Sequence, residues 1–311
     1  MTTILELREL LKRIYMKYEA VLVPVVKFVL GLVIFLQIRD KFGVNEQISS
    51  IPVCLIMALL CCVLPWGGTV FFAAVSILVN FYSMSLEIFI STAAVFLIVA
   101  LVYLRFSPKT GYLVVLTPIF FLLHIPYALV AACALLFTPV SAVSVVCGTF
   151  LYYFLHGVRE SAAALIAAED VTSAAKVTTL VNQITQNREM LLLILVLALM
   201  TVVMYLIRRL SVKHAWTIAI IAGFMLEFLL ILGGMLVLGI SGKTQYVILG
   251  NIISIGIAFL LKFLFFHVDY KRTERAQFED DDYYYYVKAV PKIKVPVQEK
   301  KVKKITAEKD D

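Results

Sequence analysis

The sequence predicts an all-α integral membrane protein of about eight transmembrane helices, with both termini in the cytoplasm. Three observations carry that prediction. Of 311 residues, 62% are hydrophobic and 16% charged, against roughly 45–50% and 25% in an average soluble domain. The apolar residues fall into runs of about 18 to 24, the length that crosses about 30 Å of hydrocarbon at 1.5 Å per residue. No stretch before the tail alternates apolar and polar residues as membrane-barrel strands do.

Residues 3–18 set Leu7, Leu10, Leu11 and Ile14 at helical spacing, with Arg8, Lys12, Arg13 and Lys17 mostly on other faces. This predicts an amphipathic helix within 1–19 that lies in the cytoplasmic interface. The first apolar run follows it without a small-residue cleavage site, so a retained span is expected rather than a signal peptide. Spans are expected at 20–38, 49–65, 67–84 and 86–104. Pro65, Trp66 and Gly67 make one tight reversal between them, and Ser83 to Ser85 another. Later spans are expected at 190–207, 215–238 and 246–268. The chain thus divides into an N-terminal membrane bundle over 20–156, an extracytoplasmic helical segment over 157–189, a three-helix segment over 190–268 and a charged, Tyr-rich tail over 269–311.

Orientation follows from the basic residues. Arg105 to Lys109, Arg208 to His214, and the tail opening with Lys271, Arg272 and Arg275 belong in the cytoplasm. Residues 157–189 carry three basic and four acidic side chains, a balance that suits the outside. Residues 111–156 must therefore cross an odd number of times. Pro118, Pro126 and Pro139 cut them into pieces too short for three spans and too long for one. A broken or re-entrant hairpin over 112–137 followed by one span over 138–156 solves this, and a kinked span plus an interfacial loop is the alternative. Non-helical backbone at membrane depth is tolerated only when buried in protein or lining a watery cavity. Within 158–188, Val177, Leu180, Val181 and Ile184 share one helical face, which can dock on the bundle or dimerise. A homo- or hetero-oligomer stays open.

The formal net charge of +7 comes from residues at helix ends and in the tail. These act as topology signals and anionic-lipid contacts, so the lipid bilayer is the expected partner and nucleic acid is not. All five cysteines lie in apolar runs without metal-site spacing, so neither disulfides nor a zinc site is expected. An ionisable group at the bilayer centre costs at least about 2.5–3.5 kcal/mol, so Lys27 and Glu227, each near the middle of its span, need a reason. They can pair across the bundle as a proton-coupled transporter site, or serve only to set helix register. Asn80 and Asn251, within or near apolar spans, join them as candidate intramembrane polar residues, with interhelical hydrogen bonding as the plainer role.

Gly239, Ile240, Ser241 and Gly242 resemble the nucleophile motif of rhomboid intramembrane proteases. Ser241 and His267 fall at opposite ends of their spans, beyond hydrogen-bond reach of one another, which argues against proteolysis. No Walker A or H-E-x-x-H motif is present, so no catalytic residue, cofactor or enzymatic activity is expected.

In the tail, Glu279 to Asp282 form an acidic run and Tyr283 to Tyr286 an aromatic run. Val287 to Val297 alternates apolar and basic residues around Pro291 and Pro296. An extended peptide of this kind can add to a partner's sheet edge, with Tyr283, Tyr284, Tyr285, Tyr286, Val287, Val290, Ile293 and Val295 as the docking residues. A solvated tail touching anionic lipid is the alternative, and Gln298 to Asp311 have the composition of disorder. The run FEDDDYYYYVKAVPKIKV, Phe278 to Val295, resembles the tails of bacterial multi-pass membrane proteins described loosely as permease-like. The resemblance implies a bacterial plasma (inner) membrane and no particular activity. Two functions are therefore expected: a permease-like small-solute transporter or membrane subunit of a transport complex, and, alternatively, a noncatalytic scaffold of cell-envelope machinery that recruits a cytoplasmic partner through its tail.

Overall fold

The computed structural model describes residues 2–45, 47–167, 182, 185–210, 212, 214–239, 244–265, 274–279 and 284–289. These form ten helices, numbered in chain order: α1 (Thr2–Phe42), α2 (Ile51–Val63), α3 (Trp66–Met84), α4 (Leu86–Phe106), α5 (Tyr112–Leu122), α6 (Pro126–Leu136), α7 (Ser141–Ala167), α8 (Arg188–Arg208), α9 (Ala215–Leu238) and α10 (Thr244–Phe265). Two strands follow, β1 (Glu274–Glu279) and β2 (Tyr284–Ala289). Residues 15–262 make one compact unit, and residues 1–14 with 263–311 make another.

Among the described residues, seven helices are long and apolar enough to cross a membrane: α1 from Arg13, α3, α4, α7 to Ser161, α8, α9 and α10. The protein is a helical, multi-pass membrane protein. Its perimeter agrees, because Leu97, Leu229, Leu236 and Ile252 are all more than half exposed, as lipid contact allows and water does not. Within α1, the boundary expected between interfacial helix and span coincides with a local break at Tyr18 (φ −115°, ψ 18°).

The expected span at 49–65 is helical only over the 13 residues of α2, about 20 Å at 1.5 Å per residue. Its N-terminal approach hydrogen-bonds Asn80 near the end of α3, and its far end, Leu64, accepts from Lys27. Short helix and extended flanks together carry the chain from one end of the bundle to the other. Pro65 ends α2 by forcing Leu64 into an extended conformation (φ −77°, ψ 153°).

Residues 112–137 form a helical hairpin. α5 and α6 have 11 residues each, about 16 Å apiece. Leu123 to Ile125 join them, and His124 takes φ 59° to turn the chain. The Tyr112 and Phe137 rings meet at 6.4 Å, so both feet of the hairpin stand at the same level. Arg208 donates to the carbonyls of Leu135 and Phe137 and so satisfies the C-terminus of α6. Pro118 deprives the Val114 carbonyl of its usual donor within α5. Gly148 of α7 packs there, close enough that a Cβ would stand 2.9 Å from that oxygen and 2.5 Å from Thr117 Cβ.

Buried side chains gather in two main clusters. One joins α5 and α6 to α7, α8 and α9, with Leu135, Val196, Met200 and Ile220 near its centre. The other joins α1, α2 and α3 to α7, through Phe35, Ala58, Cys61 and Phe154. Because lipid is as apolar as these side chains, close packing rather than water exclusion holds such helices together. Gly31 meets Ala58 and Cys61 for this reason.

Candidate functional site

The hairpin tip is held by close backbone approach. A Cβ on Gly250 of α10 would lie 2.2 Å from the His124 carbonyl oxygen, so only glycine lets α10 pass. The His124 ring stacks on Tyr246 with centroids 4.9 Å apart. Beside the tip lies a cavity of about 300 Å³, walled by Phe121, Tyr127, Tyr152, Tyr153, Glu189 and Tyr246. That is the small end of the range for ligand pockets. Phe121 stacks on Tyr152 at 4.7 Å, and the Tyr153 hydroxyl donates to Glu189 Oε1 at 2.9 Å. Aromatic surface with a few fixed polar groups suits a small polar or amphiphilic solute.

Beneath the cavity lies Glu227. Ile231, one turn along α9, lines the cavity, while Glu227 itself is 0% exposed. Asn251 Nδ2 donates to Glu227 Oε2 at 2.5 Å, and Glu227 Oε1 has no hydrogen-bond partner among the described residues. Ser254, on the same buried face of α10 as Asn251, also has a hydroxyl without a partner. Tyr127 lines the cavity, and its ring packs against Gly250, next to Asn251 on α10. A carboxylate so enclosed is costly to keep ionised without a counter-ion.

Of the four intramembrane candidates, the structure brings Glu227 and Asn251 together and keeps Lys27 and Asn80 apart from them. Lys27 donates to the Leu64 carbonyl at 3.1 Å and stands 5.5 Å over the Trp66 ring. Trp66 in turn meets Tyr112 at the foot of the hairpin, 5.2 Å away. Lys27 thus sits at the Trp66 end of the bundle rather than at its middle, and the possible pairing with Glu227 is not among its contacts with the described residues. The cause is the unequal length of neighbouring elements: α1 runs on as helix well before its apolar stretch, and α2 ends level with Lys27.

Asn80 is a clamp. Its Oδ1 accepts from the Val44 and Asn45 N–H groups at 3.1 and 3.3 Å and from Ser49 Oγ at 3.0 Å, while Nδ2 donates to Ser76. It therefore fixes the turn between α1 and α2. Asn80→Leu strands those donors and is expected to cost about 2–3 kcal/mol, at roughly 1–3 per buried unpaired group. Thermal unfolding of the purified variant in detergent measures this, and an unchanged midpoint contradicts the clamp.

In the tail, β1 and β2 pair antiparallel, with Phe278 opposite Tyr285 and Gln277 opposite Tyr286. The aromatic run expected as an extended peptide thus already has a strand partner in its own chain, which the alternation of 274–279 did not suggest. The register places positions 276, 278, 285 and 287 on one face. Tyr284 and Tyr286, on the other, are 69% and 75% exposed. Tyr283, Val290, Ile293 and Val295 lie outside the described residues, as do Ser241, His267 and most of 168–184.

The residues lining the cavity escaped the sequence reading. Tyr152, Tyr153 and His156 lie in a span with ordinary hydropathy, and their convergence with His124, Glu189 and Tyr246 spans more than a hundred residues of chain. The polar content of 152–156 was the available signal. Among the described residues no three His, Cys, Asp or Glu side chains gather as a metal site requires. No protein-family description matches this chain, and no match is found among curated proteins or solved structures.

Proposed function

We propose that the protein is a permease-like small-solute transporter, or the membrane subunit of a transport complex, in a bacterial plasma membrane. The observation that carries this reading is a solute-sized cavity at the tip of a broken helical hairpin, one helical turn from a fully buried carboxylate. Discontinuous helices commonly border transporter sites because they bring backbone polar groups to mid-membrane. The bundle end bearing Lys109, Arg208, Trp66 and Trp216 is cytoplasmic, in keeping with the excess of basic residues and the aromatic belt at membrane interfaces. The chain then crosses eight times with both termini inside, and the hairpin enters from the cytoplasm toward a cavity open to the outer side. Glu227 and Asn251 form the coupling element, and Tyr127 lines the cavity beside Gly250.

The amphipathic register of the β1–β2 hairpin favours a second reading, a scaffold that recruits a cytoplasmic protein. A lone two-stranded hairpin is marginally stable in water, so a third strand or a covering surface would support it. The two readings part on one pair of variants, Glu227→Gln and truncation after Asp282, compared for growth of a strain lacking the native copy. A transporter loses function with Glu227→Gln and keeps it with the truncation. A scaffold behaves in the opposite way, and two silent variants contradict both.

A further inference from the structure

Two further cavities adjoin one another, and their chemistry is complementary. One is an apolar groove of about 390 Å³ between α1, α3, α4, α5 and α7. Its volume exists because α3 and α4 present Ala73, Ala74, Ala93 and Ala100 where larger side chains would fill it. Phe71 and Leu97, 63% and 61% exposed, line it too, so the groove opens sideways onto the surface that faces lipid. It runs along α1 from Ile34 to Phe42 and along α4 from Ala93 to Tyr103, about 12–15 Å at 1.5 Å per residue. That is the depth of one leaflet of about 30 Å of hydrocarbon.

The second is a vestibule of about 230 Å³ lined by Lys41, Arg159, His124 and His156, together with Phe42, Pro118, Leu122 and Leu155. The last four also line the groove, so the two spaces share a wall at the end of the hairpin. Among the described residues no carboxylate lines the vestibule. His156 pairs with Glu160 at 3.4 Å, while neither Lys41 nor Arg159 has a carboxylate partner among the described residues. An anion at this position meets two fixed positive charges, and an alkyl chain attached to it meets the groove.

We propose that the groove and vestibule together bind an anionic acyl lipid, with one acyl chain lying between α1, α3 and α4 and the phosphate held by Lys41 and Arg159. A zwitterionic lipid lacks the net charge to engage both cations. A free phosphate lacks the chain. The inference goes beyond solute transport, because the lipid site stands whether or not the neighbouring cavity carries a cargo. It does adjoin that cavity, since His124, Tyr152 and His156 line both the cavity and the vestibule.

The test is native mass spectrometry and thermal unfolding of the full-length protein in neutral detergent, titrated with dioleoyl phosphatidic acid, dioleoyl phosphatidylcholine and inorganic phosphate. The expected result is retention and stabilisation by phosphatidic acid at concentrations at least about tenfold below those needed for phosphatidylcholine, a preference of the size set by one or two charge-assisted contacts. Inorganic phosphate has no effect. Lys41→Gln with Arg159→Gln removes the preference while leaving the unfolding midpoint without lipid unchanged. Ala74→Phe, which fills the groove, weakens both lipids alike. Equal retention of the two lipids, full protection by inorganic phosphate, or an undiminished preference in the double variant overturns the proposal. Loss of solute uptake by Glu227→Gln alongside intact lipid preference, or the converse, separates this inference from the transport reading.

Discussion

Replacing Glu227 by Gln is expected to leave the protein folded and to bring solute-coupled proton movement down to the level of protein-free liposomes. Gln keeps the shape of Glu, and its carbonyl can accept the Asn251 Nδ2 hydrogen bond now made to Oε2. Its amide would stand where Oε1 already lacks a partner. Because volume and the Asn251 hydrogen bond are both kept, the unfolding midpoint should move little. What Gln cannot do is gain and lose a proton. Reconstituted protein in liposomes loaded with a pH-sensitive dye, challenged with a panel of small polar solutes, reads this directly. Flux equal to wild type assigns Glu227 to packing alone. Asn251→Leu should harm both quantities, because it strands the buried carboxylate and so adds a stability cost that Gln at 227 avoids.

Gly250→Ala is expected to be a strongly damaging single-methyl change in the bundle. The added Cβ would lie 2.2 Å from the His124 carbonyl oxygen, more than 1 Å inside the ordinary contact of about 3.5 Å. The obstacle is backbone, at a residue already held at φ 59°, so relief must come from moving the hairpin tip. Overpacking of this kind costs about 1–3 kcal/mol, and the upper half of that range applies when no side chain can yield. Gly256 on the same helix provides the control, since a Cβ there meets nothing within 4 Å. Gly256→Ala should be neutral or stabilise by up to about 1 kcal/mol through reduced backbone freedom. Parallel unfolding curves decide the matter, and equal effects at the two glycines would show that the tip is not seated on α10. Because His124, Phe121 and Tyr127 move with the tip, Gly250→Ala should also weaken ligand binding in the cavity.

The parts of the fold that were legible in the sequence are those set by local composition. Runs of Leu, Val, Ile and Phe long enough to cross hydrocarbon named the α3, α4, α8, α9 and α10 segments to within a few residues, whereas α7 continues as helix to Ala167, eleven residues past the expected end of its span. Pro118, Pro126 and Pro139 located the interruption at 112–137, because a proline cannot donate its backbone hydrogen bond wherever the chain sits. Glu227 and Asn251 stood out for a similar reason: a polar side chain in an apolar run is costly whatever its neighbours.

Partnership was a different matter. Lys27 and Glu227 were each central in an apolar run, yet α1 and α2 differ in length, and this shifts Lys27 to the Trp66 end of the bundle, out of reach of Glu227. Asn80 was flagged as polar, but its task of holding Val44, Asn45 and Ser49 depends on where the turn after α1 falls. The cavity wall combines Phe121, Tyr152, Glu189 and Tyr246 from four helices, none of which carries a motif alone.

The sequence by itself determined that this chain is helical, lies in a membrane and breaks one helix near its middle, since the free energy of burying a residue in hydrocarbon depends chiefly on that residue. Which helices touch, which buried polar groups meet, and where small side chains leave a groove beside Lys41 and Arg159 were decided only by the tertiary structure. Those outcomes depend on relative helix lengths and on packing between residues distant in sequence, and in lipid no difference in hydrophobicity steers one helix toward another.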